Sequence, residues 1–299
     1  MFPKYLDILY KILKFLKEVF NKMTKCWFDY KTVILSGASS GIGKGIAIKL
    51  IKDHGCNVIG IARNEQRLLE LKEELGSLGY KFTYYTFDVS SKEKWEEFAL
   101  SLKNEGIKPD ILINNAGILP KFDRFEHYTL DEIEKAMQIN FFSCVYSMKA
   151  LMPQLLESSS AGIVNVSSSS ALCALAGTCV YSASKAALKS FSDAIREEHR
   201  DNCYVGLICP GFTKTNIFRN QSKSSDKAQK AMDMVSTDCD KMVDLIIDGI
   251  WKKKEDMVFG VDAHLMSIGN KAVGTFCSKI ASKVMRISGL EMFKNIYAD

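Results

Sequence analysis

The sequence predicts an α/β fold, a doubly wound, seven-stranded parallel sheet with helices on both faces. From Lys31 onward, short runs rich in β-branched residues alternate with amphipathic helical stretches, which is typical of such a sheet. A glycine-rich turn follows the first of these runs and opens a helical stretch. The 299-residue chain is 47% hydrophobic and 25% charged, as expected for a globular protein.

The pattern places each element in order. We expect strands at Thr32–Ser36, Asn57–Ala62, Phe82–Phe87, Ile111–Ile113, Gly162–Val166, Tyr204–Cys209 and Met257–Phe259. Helices are expected between them, near residues 42–53, 64–78, 91–105, 130–157, 180–200 and 239–253. Residues 213–238 are rich in Ser, Lys, Asp and Gln, and we predict that they form a mobile excursion.

Residues 1–28 form a basic, amphipathic segment. Six lysines stand against Asp7 and Glu18, so the segment carries +4 of the formal net charge of +5. On a helical wheel the lysines share one side, and an apolar face from Leu9 to Trp27 occupies the other. The regular lysines exclude a membrane-spanning helix and a secretory signal. Two interpretations stay open, namely peripheral contact with a membrane surface and packing on the protein's own body or on a second subunit.

Charge and cysteine usage exclude further classes. The chain after the basic segment is close to neutral and shows no basic stripe, so no nucleic-acid partner is predicted. The nine cysteines are scattered, without a CxxC pair or a Cys/His cluster at metal-ligand spacing, so no metal is predicted. An odd number of cysteines fits a reducing compartment. We expect a cytoplasmic protein, with peripheral membrane contact through residues 1–28 as the alternative.

The glycine-rich turn predicts a dinucleotide site. Glycines let the backbone turn sharply and approach a pyrophosphate, while the helix N-terminus offers free N–H groups and the positive end of its dipole. A strand before the turn and a helix after it make the pattern much more specific than the glycines alone. The predicted contacts of this turn are Gly37, Ser39, Ser40, Gly41, Ile42 and Gly43.

The end of the second strand predicts which dinucleotide is bound. Folds that prefer NAD place an acidic residue there to accept hydrogen bonds from the ribose hydroxyls. Here the position is Ala62, and Arg63 follows it. A guanidinium group suits a 2′-phosphate, so we predict NADP(H); the alternative is a solvated arginine at a strand end.

Three side chains predict proton chemistry. Tyr181 and Lys185 are four residues apart in a predicted helix and therefore share a face. An unperturbed tyrosine, with a pKa near ~10, is a poor base at neutral pH, and we expect the Lys185 ammonium to lower the pKa of Tyr181. Ser168 follows strand Gly162–Val166 at the carboxyl edge of the sheet, where it can converge with Tyr181 on one oxygen. Within the run of serines from 167 to 170, its choice depends on its spacing to Tyr181.

In order and spacing, these motifs resemble those of the short-chain dehydrogenase/reductase family. The motifs are Ser36-Gly37-x3-Gly41-x-Gly43, Asp88-Val89, Asn114-Asn115-Ala116-Gly117, Asn140, Ser168, Tyr181-x3-Lys185 and Pro210-Gly211. The resemblance covers residues 31–215 and departs at Ser36, where threonine is commoner; we expect the serine to keep the hydroxyl hydrogen bond. The family pattern does not require the two ends of the chain, so we expect three parts: an amphipathic basic N-terminal segment (residues 1–29), a Rossmann-type catalytic domain (30–261) and a partly helical C-terminal extension (262–299).

The resemblance also implies a role for each motif. Tyr181 would be the general acid/base, Ser168 would bind the carbonyl oxygen, and Lys185 would hold the ribose hydroxyls. Asn140 would anchor a water that links Lys185 to solvent. The other implied cofactor contacts are Asp88 and Val89 at the adenine, Asn114, Ala116 and Gly117 on the adenine-ribose side, and Pro210, Gly211 and Thr213 at the nicotinamide.

The function predicted from these residues is NADP(H)-dependent interconversion of a ketone or aldehyde and an alcohol by hydride transfer. We expect a lipophilic substrate, steroid-, bile-acid- or lipid-like, because an apolar lining is predicted from Leu172, Cys173, Leu175, Phe212, Ile217, Phe218 and Met234. The family implies a homodimer or homotetramer, paired through the helices near 130–157 and 180–200. The alternatives are a nucleotide-binding scaffold or sensor without turnover, and a sugar-nucleotide epimerase or dehydratase.

Overall fold

The structure is a computed structural model, and it describes residues 26–215, 217, 236–288 and 293–297. Within these residues, seven parallel strands form one sheet in the order β3-β2-β1-β4-β5-β6-β7. The strands are β1 Thr32–Ser36, β2 Asn57–Ala62, β3 Phe82–Thr86, β4 Ile111–Asn114, β5 Gly162–Val166, β6 Tyr204–Pro210 and β7 Asp256–Phe259. The predicted doubly wound α/β fold is confirmed. The strand order reverses between β1 and β4, which opens a crevice at the carboxyl edge of the sheet.

Helices cover both faces of the sheet. They are α1 Gly41–His54, α2 Glu65–Glu74, α3 Lys92–Asn104, α4 Leu130–Met137, α5 Ser143–Leu155, α6 Cys179–Glu198, α7 Cys239–Trp251, α8 Val261–Val273, α9 Phe276–Ser288 and α10 Lys294–Tyr297. The expected helix near 64–78 ends earlier, because Gly76 has a positive φ of 55° and a 3₁₀ turn follows. The expected helix over 130–157 is divided by a π-helical turn, Gln138–Phe142, which contains Asn140.

The core consists of two apolar layers, one on each face of the sheet. One layer packs α1 and α7 on the strands through residues such as Ile46, Leu50 and Ile246. The other packs α3 and α5 through residues such as Trp95 and Leu151. Strand β5 is buried at every position, as expected where helices cover both faces. The layers hold the strand ends, and therefore the crevice, in fixed positions.

The N-terminal end of the described chain packs on the protein itself. Residues 1–25, which contain most of the predicted amphipathic helix, lie outside the described residues. Trp27 was expected on the apolar face of that helix, but it lies in a turn. Its indole N–H donates to Ile250 O at 2.9 Å, and its ring packs edge-on against Phe28 and Tyr204. The helical expectation is therefore wrong at Trp27, because a buried indole needs both an apolar wall and an acceptor, and the body supplies both.

Helices α8 to α10 form the predicted helical part of the C-terminal extension. Met285, Phe293 and Ile296 are buried against Leu119 and Phe122, so this part of the chain packs beside the crevice. In the part of the chain that the structure describes, no helix combines the length and the apolar character needed to cross a membrane. The predicted excursion at 213–238 falls mostly outside the described residues.

Candidate active site

The carboxyl ends of the strands open onto a cleft of about 900 Å³. Its wall contains most of the residues predicted for the site. They are Gly37, Ser39, Ser40, Gly41, Ile42, Arg63, Asp88, Val89, Ala116, Gly117, Ser168, Tyr181, Lys185, Pro210, Gly211 and Thr213. Gly43, Asn114 and Asn140 are not part of the wall, and the structure gives the two asparagines a different environment from the expected one.

The glycine-rich turn fits an anionic, close-lying ligand. Gly37 has a φ of +70°, and a Cβ at Gly43 would lie 2.2 Å from Gly37 O, so side chains are excluded at both positions. Ser40 caps α1 without a side-chain hydrogen bond, and the first turn of α1 contains no acidic residue. The N–H groups at this helix end are therefore free to bind a phosphate, as a pyrophosphate site requires.

A hydroxyl joins the glycine-rich turn to the strand beside it. Ser36 Oγ accepts hydrogen bonds from Asn115 N at 3.0 Å and Ala116 N at 3.1 Å, so the serine does keep a hydroxyl hydrogen bond here. Asn115 Nδ2 donates back to Ser36 O at 3.1 Å and to Gly37 O at 3.3 Å. No role was predicted for Asn115 from the sequence, although it belongs to the Asn114-Asn115-Ala116-Gly117 motif.

The side chain of Asn114, which was predicted to contact the cofactor, does not line the cleft. Its side chain is buried, donates to Asn165 Oδ1 at 2.9 Å and accepts from Ser147 Oγ at 2.7 Å. Asn165 Nδ2 in turn donates to Ser192 Oγ at 2.9 Å. Consecutive strand residues point to opposite faces, so Asn114 faces the helices while Asn115 faces the turn. Asn114 therefore belongs to a buried polar network behind the cleft.

Tyr181, Lys185 and Ser168 meet on one wall of the cleft. Tyr181 and Lys185 are one turn apart in α6, and Lys185 Nζ lies 5.9 Å from the centre of the Tyr181 ring. Lys185 Nζ also donates to Val166 O at 2.9 Å, at the end of β5. The i, i+4 spacing thus brings the phenol and the ammonium to the same side of the helix, as the sequence predicted.

The expected effect of Lys185 on the Tyr181 phenol is not observed. Burial raises the pKa of Tyr181, and the Ser168 hydroxyl only partly opposes this shift. Burial also lowers the pKa of the Lys185 ammonium. The ammonium is directed to the Val166 carbonyl, so the low-polarity surroundings decide the direction for the phenol. The direction found for the pKa of the Tyr181 phenol is therefore the opposite of the one that the sequence predicted.

Asn140 is completely buried, and its amide is fully occupied. Its Oδ1 accepts from Ile118 N at 2.8 Å, and its Nδ2 donates to Ile118 O at 2.9 Å and to Ser184 Oγ at 3.1 Å. A Cβ at Gly117 would lie 3.3 Å from both Asn140 Oδ1 and Lys185 Nζ, so these three residues adjoin. Both amide hydrogens are committed to protein acceptors, so the side chain fixes the strand-end loop rather than offering a donor to the cleft.

Two arginines line the cleft just beyond the end of β2, where the sequence predicts the adenine end of the cofactor. Arg63 Nη1 pairs with Asp88 Oδ2 at 3.4 Å, and both side chains remain substantially exposed. Burial would raise the pKa of Asp88, but hydrogen bonds from Ser90 and the Arg63 guanidinium outweigh it and lower that pKa. Arg67, on the first turn of α2, lines the same end. The sequence analysis did not include Arg67, although it stands four residues after Arg63.

The opposite end of the cleft is apolar. Of the predicted lining residues, Leu175, Phe212 and Ile217 are in the wall. Leu172 and Cys173 are not in the wall, while Phe218 and Met234 lie outside the described residues. Leu119 and Phe122, which the sequence analysis did not include, complete the apolar end. They come from the loop after β4, for which the sequence pattern gave no direction.

One group of side chains with metal-binding atoms occurs in the described residues. The ligand atoms of Cys26, Asp29 and His54 lie within 4.8 Å of one another. The His54 ring nitrogen contacts Asp29 Oδ1 at 2.8 Å, and Cys26 N donates to Asp29 Oδ2 at 2.7 Å. These contacts account for the arrangement without an ion. The group was not predicted from the sequence because His54 lies 25 residues after Asp29.

The chain is similar to known proteins over the part that contains this site. A family described as short chain dehydrogenase matches residues 31–226. The chain is 31% identical over 236 residues to a dehydrogenase/reductase SDR family protein 7-like of Drosophila melanogaster, over 76% of this chain and 72% of that one. It is 31% identical over 199 residues to a 3beta-hydroxysteroid dehydrogenase 2 of Eggerthella lenta, over 66% and 76% of the two chains. A short-chain dehydrogenase structure from Streptomyces avermitilis matches with a TM-score of 0.70 and 25% identity, over 86% of this chain and 98% of that one.

A Rossmann-type sheet whose crevice contains a glycine-rich turn and a Tyr-x3-Lys pair defines a class of oxidoreductase. The family match covers most of the chain and includes each of these motifs. The chain belongs to the short-chain dehydrogenase/reductase family.

Proposed function

We propose that this protein is an NADP(H)-dependent oxidoreductase that interconverts a ketone or aldehyde and the corresponding alcohol. One observation carries the proposal. The phenol of Tyr181, the hydroxyl of Ser168 and the ammonium of Lys185 line the same cleft as the glycine-rich turn. A site of this kind can hold a carbonyl oxygen beside a proton donor while a dinucleotide extends toward the turn.

The protein's own groups divide the work at the carbonyl oxygen. When bound, the nicotinamide supplies or accepts the hydride, which is the difficult part of the chemistry. Tyr181 donates a proton from its phenol to the developing alkoxide, and its raised pKa keeps that proton in place until it is needed. Ser168 donates a hydrogen bond to the same oxygen. Lys185, held at Val166 O, addresses the ribose hydroxyls.

The proposed water relay needs a different atom of Asn140. Its side-chain amide is committed to Ile118 and Ser184. The π-helical turn Gln138–Phe142 disturbs the regular i to i+4 pattern around Asn140. We therefore assign the water-anchoring role to the backbone carbonyl of Asn140, with the amide as its support.

The preference for NADP(H) rests on charge at the end of β2. Ala62 stands where NAD-binding folds have an acidic residue. Arg63 and Arg67 both line the adenine end, and two guanidinium groups suit a 2′-phosphate. Asp88, paired with Arg63, and Val89 would lie at the adenine. Gly117 and Ala116 would adjoin the ribose, and Pro210, Gly211 and Thr213 the nicotinamide.

The substrate is proposed to be lipophilic, in the class of steroids, bile acids or lipids. The wall beyond Tyr181 is formed by Leu119, Phe122, Leu175 and Phe212, which offer few hydrogen-bonding groups. The similar protein from Eggerthella lenta is named for a hydroxysteroid, which supports the same class. Comparable kcat/KM values for small polar keto acids and for steroid ketones would contradict this part of the proposal.

The organisation of the chain is proposed on the same basis. Residues 30–261 would form the catalytic domain, preceded by the basic segment (1–29) and followed by the extension (262–299). We propose a homodimer or homotetramer paired through α4, α5 and α6. Peripheral contact with a membrane through residues 1–28 is proposed from their wheel pattern.

The test compares two tyrosines. We expect Tyr181→Phe to lose nearly all NADPH-dependent carbonyl reduction while its affinity for NADPH, measured by fluorescence, stays within about twofold of wild type, which is the low end of the effect of one lost neutral hydrogen bond. Tyr204→Phe is the control, because Tyr204 is also largely buried but bonds Lys254 O at the far end of β6. Tight NADPH binding without turnover on any carbonyl in the wild type would indicate a scaffold or sensor. Turnover of a sugar nucleotide without net oxidation would indicate an epimerase or dehydratase.

A further inference from the structure

The outer sides of α8 and α9 expose a row of large apolar side chains. We call this row the α8–α9 face, and it consists of Leu265, Ile268, Phe276, Ile280, Val284 and Ile287. Their exposed fractions range from 49% at Ile280 to 74% at Ile287. Single exposed apolar residues are common, but a continuous group of them marks a surface that contacts something else.

The exposed row follows from the helical repeat. Within each helix its members are three or four residues apart, which places them on one side. The other side of α9 is already used, since Met285 is buried in the cluster beside the cleft. The two helices are also packed together, because a Cβ at Gly269 would lie 2.8 Å from Cys277 Sγ. Two neighbouring helices therefore turn apolar rows outward after their inner sides are satisfied.

Positive charge accompanies the apolar row. Residues 261–288 contain Lys271, Lys279, Lys283 and Arg286, and their one acidic residue is Asp262. All four basic side chains are exposed, whereas Asp262 accepts a hydrogen bond from Phe212 N at 2.8 Å and faces inward. On a wheel of α9 the basic residues fall within ~80° of Phe276 on one flank of the row. An apolar row with lysines at its edge is the pattern of a helix that lies in a lipid interface.

The charge also argues against two other ways to cover this face. A symmetric dimer would place four cations of one copy near four of the other, with only buried carboxylates to offset them. The chain's own residues 1–25 carry six lysines against Asp7 and Glu18, so they would meet the face with like charge. Anionic lipid headgroups are complementary to it.

We propose that the α8–α9 face docks on the surface of a bilayer that contains anionic lipids. The apolar side chains enter the headgroup and acyl boundary, and the four basic side chains bind the headgroups. The inner side of the same helices packs against Leu119 and Phe122, which line the apolar end of the cleft. Docking therefore brings that end within about one helix diameter (~10 Å) of the lipid. This surface is separate from the N-terminal segment and does not depend on the proposed reaction.

Vesicle flotation of the full chain tests the proposal. The vesicles contain phosphatidylcholine alone, or phosphatidylcholine with about 30% phosphatidylglycerol, which makes the surface strongly negative. The face variant carries Leu265→Ser, Ile268→Ser, Ile280→Ser and Ile287→Ser. The control carries Leu69→Ser and Leu100→Ser, which are 38% and 58% exposed in wild type and lie on α2 and α3, outside the helices proposed for pairing. A third variant changes the six lysines of residues 1–25 to Gln.

We expect wild type and control to bind the anionic vesicles, and the face variant to bind at least about tenfold more weakly. The lysine variant should retain part of the vesicle binding, and adding the face substitutions to it should remove the rest. Unchanged binding of the face variant, or no binding of wild type, would overturn the proposal. The proposal would also be overturned if the face variant formed a smaller oligomer in light scattering, or had a lower Tm, while its vesicle binding stayed the same as that of wild type. These readouts need no turnover, so a failure here is distinct from a failure of the proposed reaction.

Discussion

The hydroxyl of Ser170 donates a hydrogen bond to Ser168 Oγ at 2.9 Å, and Ser170 N donates to the same atom at 3.2 Å. A serine hydroxyl has two acceptor lone pairs and one hydrogen. Both lone pairs of Ser168 are therefore occupied by Ser170, which leaves the hydrogen of Ser168 for an oxygen in the cleft. Of the four neighbouring serines, Ser167 has a different use, since its hydroxyl donates to Lys185 O at 2.8 Å.

Ser170→Ala should lower kcat without changing the binding of the cofactor. The substitution removes one of the two hydrogen bonds that orient Ser168, and a neutral hydrogen bond contributes about 1 kcal/mol, which corresponds to roughly fivefold in kcat. Ser170→Thr keeps the hydroxyl and should restore most of the rate. Ser101→Ala, on α3, is the control for a lost serine far from the cleft. An equal loss in the Ala and Thr variants would mean that Ser170 acts through packing and does not orient Ser168.

Asn114→Ala should destabilise the fold and leave NADPH affinity unchanged. The variant leaves the buried Asn165 Oδ1 without its donor, while Ser147 Oγ keeps Cys144 O as an acceptor, and we expect a loss of about 2 kcal/mol in the free energy of unfolding. Asn115→Ala should instead weaken NADPH binding and leave the stability of the fold unchanged, because Asn115 holds the glycine-rich turn through Ser36 O and Gly37 O. Urea unfolding and NADPH titration separate the two. Weaker NADPH binding by Asn114→Ala, with the stability of wild type, would support the sequence prediction that Asn114 contacts the cofactor.

The contrast between Asn114 and Asn115 shows where sequence reasoning ends. The strands were predicted within a residue or two, because buried parallel strands are short runs of β-branched residues with clear punctuation. The Tyr181–Lys185 pair was predicted because helical spacing fixes which residues share a face. Two consecutive asparagines after a strand do not reveal which one faces the core. That choice depends on the twist and register of neighbouring strands.

Other features needed the tertiary structure for the same kind of reason. The π-helical turn at Asn140 has no period of its own, so the pattern over 130–157 indicated one helix. The pKa of Tyr181 was expected to fall because Lys185 is near in sequence. In the structure, burial and the Val166 carbonyl decide the outcome, and both depend on the fold. Distances between charges, and their solvation, are properties of packing.

The two arginines at the adenine end should determine the choice of cofactor. We expect Arg63→Ala to raise the KM for NADPH at least about tenfold, since hydrogen bonds between charged groups contribute roughly 1.5–3 kcal/mol, and to change the KM for NADH little. Arg67→Ala should have a smaller effect in the same direction, and the double variant should prefer NADH. Arg200→Ala is the control, because Arg200 pairs with Glu197 and Glu255 away from the cleft. If neither substitution changed the ratio of kcat/KM for NADPH to kcat/KM for NADH, the two arginines would not determine the choice of cofactor.

The pH profile should differ between the two directions of the reaction. Burial raises the pKa of Tyr181, so the phenol keeps its proton through neutral pH. Carbonyl reduction needs this proton, and its kcat/KM should stay constant at neutral and mildly alkaline pH and fall only above the ordinary phenol value of ~10. Alcohol oxidation needs the phenolate and should become faster as the pH rises. A reduction rate that already falls between about pH 7 and 8 would mean that the bound cofactor lowers the phenol pKa strongly.

Asp262 supports the turn after β6 at a cost in stability that Asn should remove. Its Oδ2 accepts from Phe212 N at 2.8 Å, while its buried Oδ1 has no hydrogen-bond partner among the described residues and would lie 2.1 Å from a Cβ at Gly211. Burial raises the pKa of Asp262, and the N–H groups of Phe212 and Ala263 only partly oppose it.

The sign of this effect follows from the direction of the shift. A carboxyl whose pKa is higher in the folded state adds stability when protonated, below its unfolded pKa of ~3.9, and loses it as the pH rises through the folded value. Asp262→Asn keeps an oxygen for Phe212 N and cannot ionise. At pH 7 its Tm should therefore be higher than that of wild type, and the difference should vanish near pH 4. Asp201→Asn, at an exposed position, is the control substitution. A Tm of Asp262→Asn below wild type at pH 7, with no change at pH 4, would mean that the ionised carboxylate stabilises the turn.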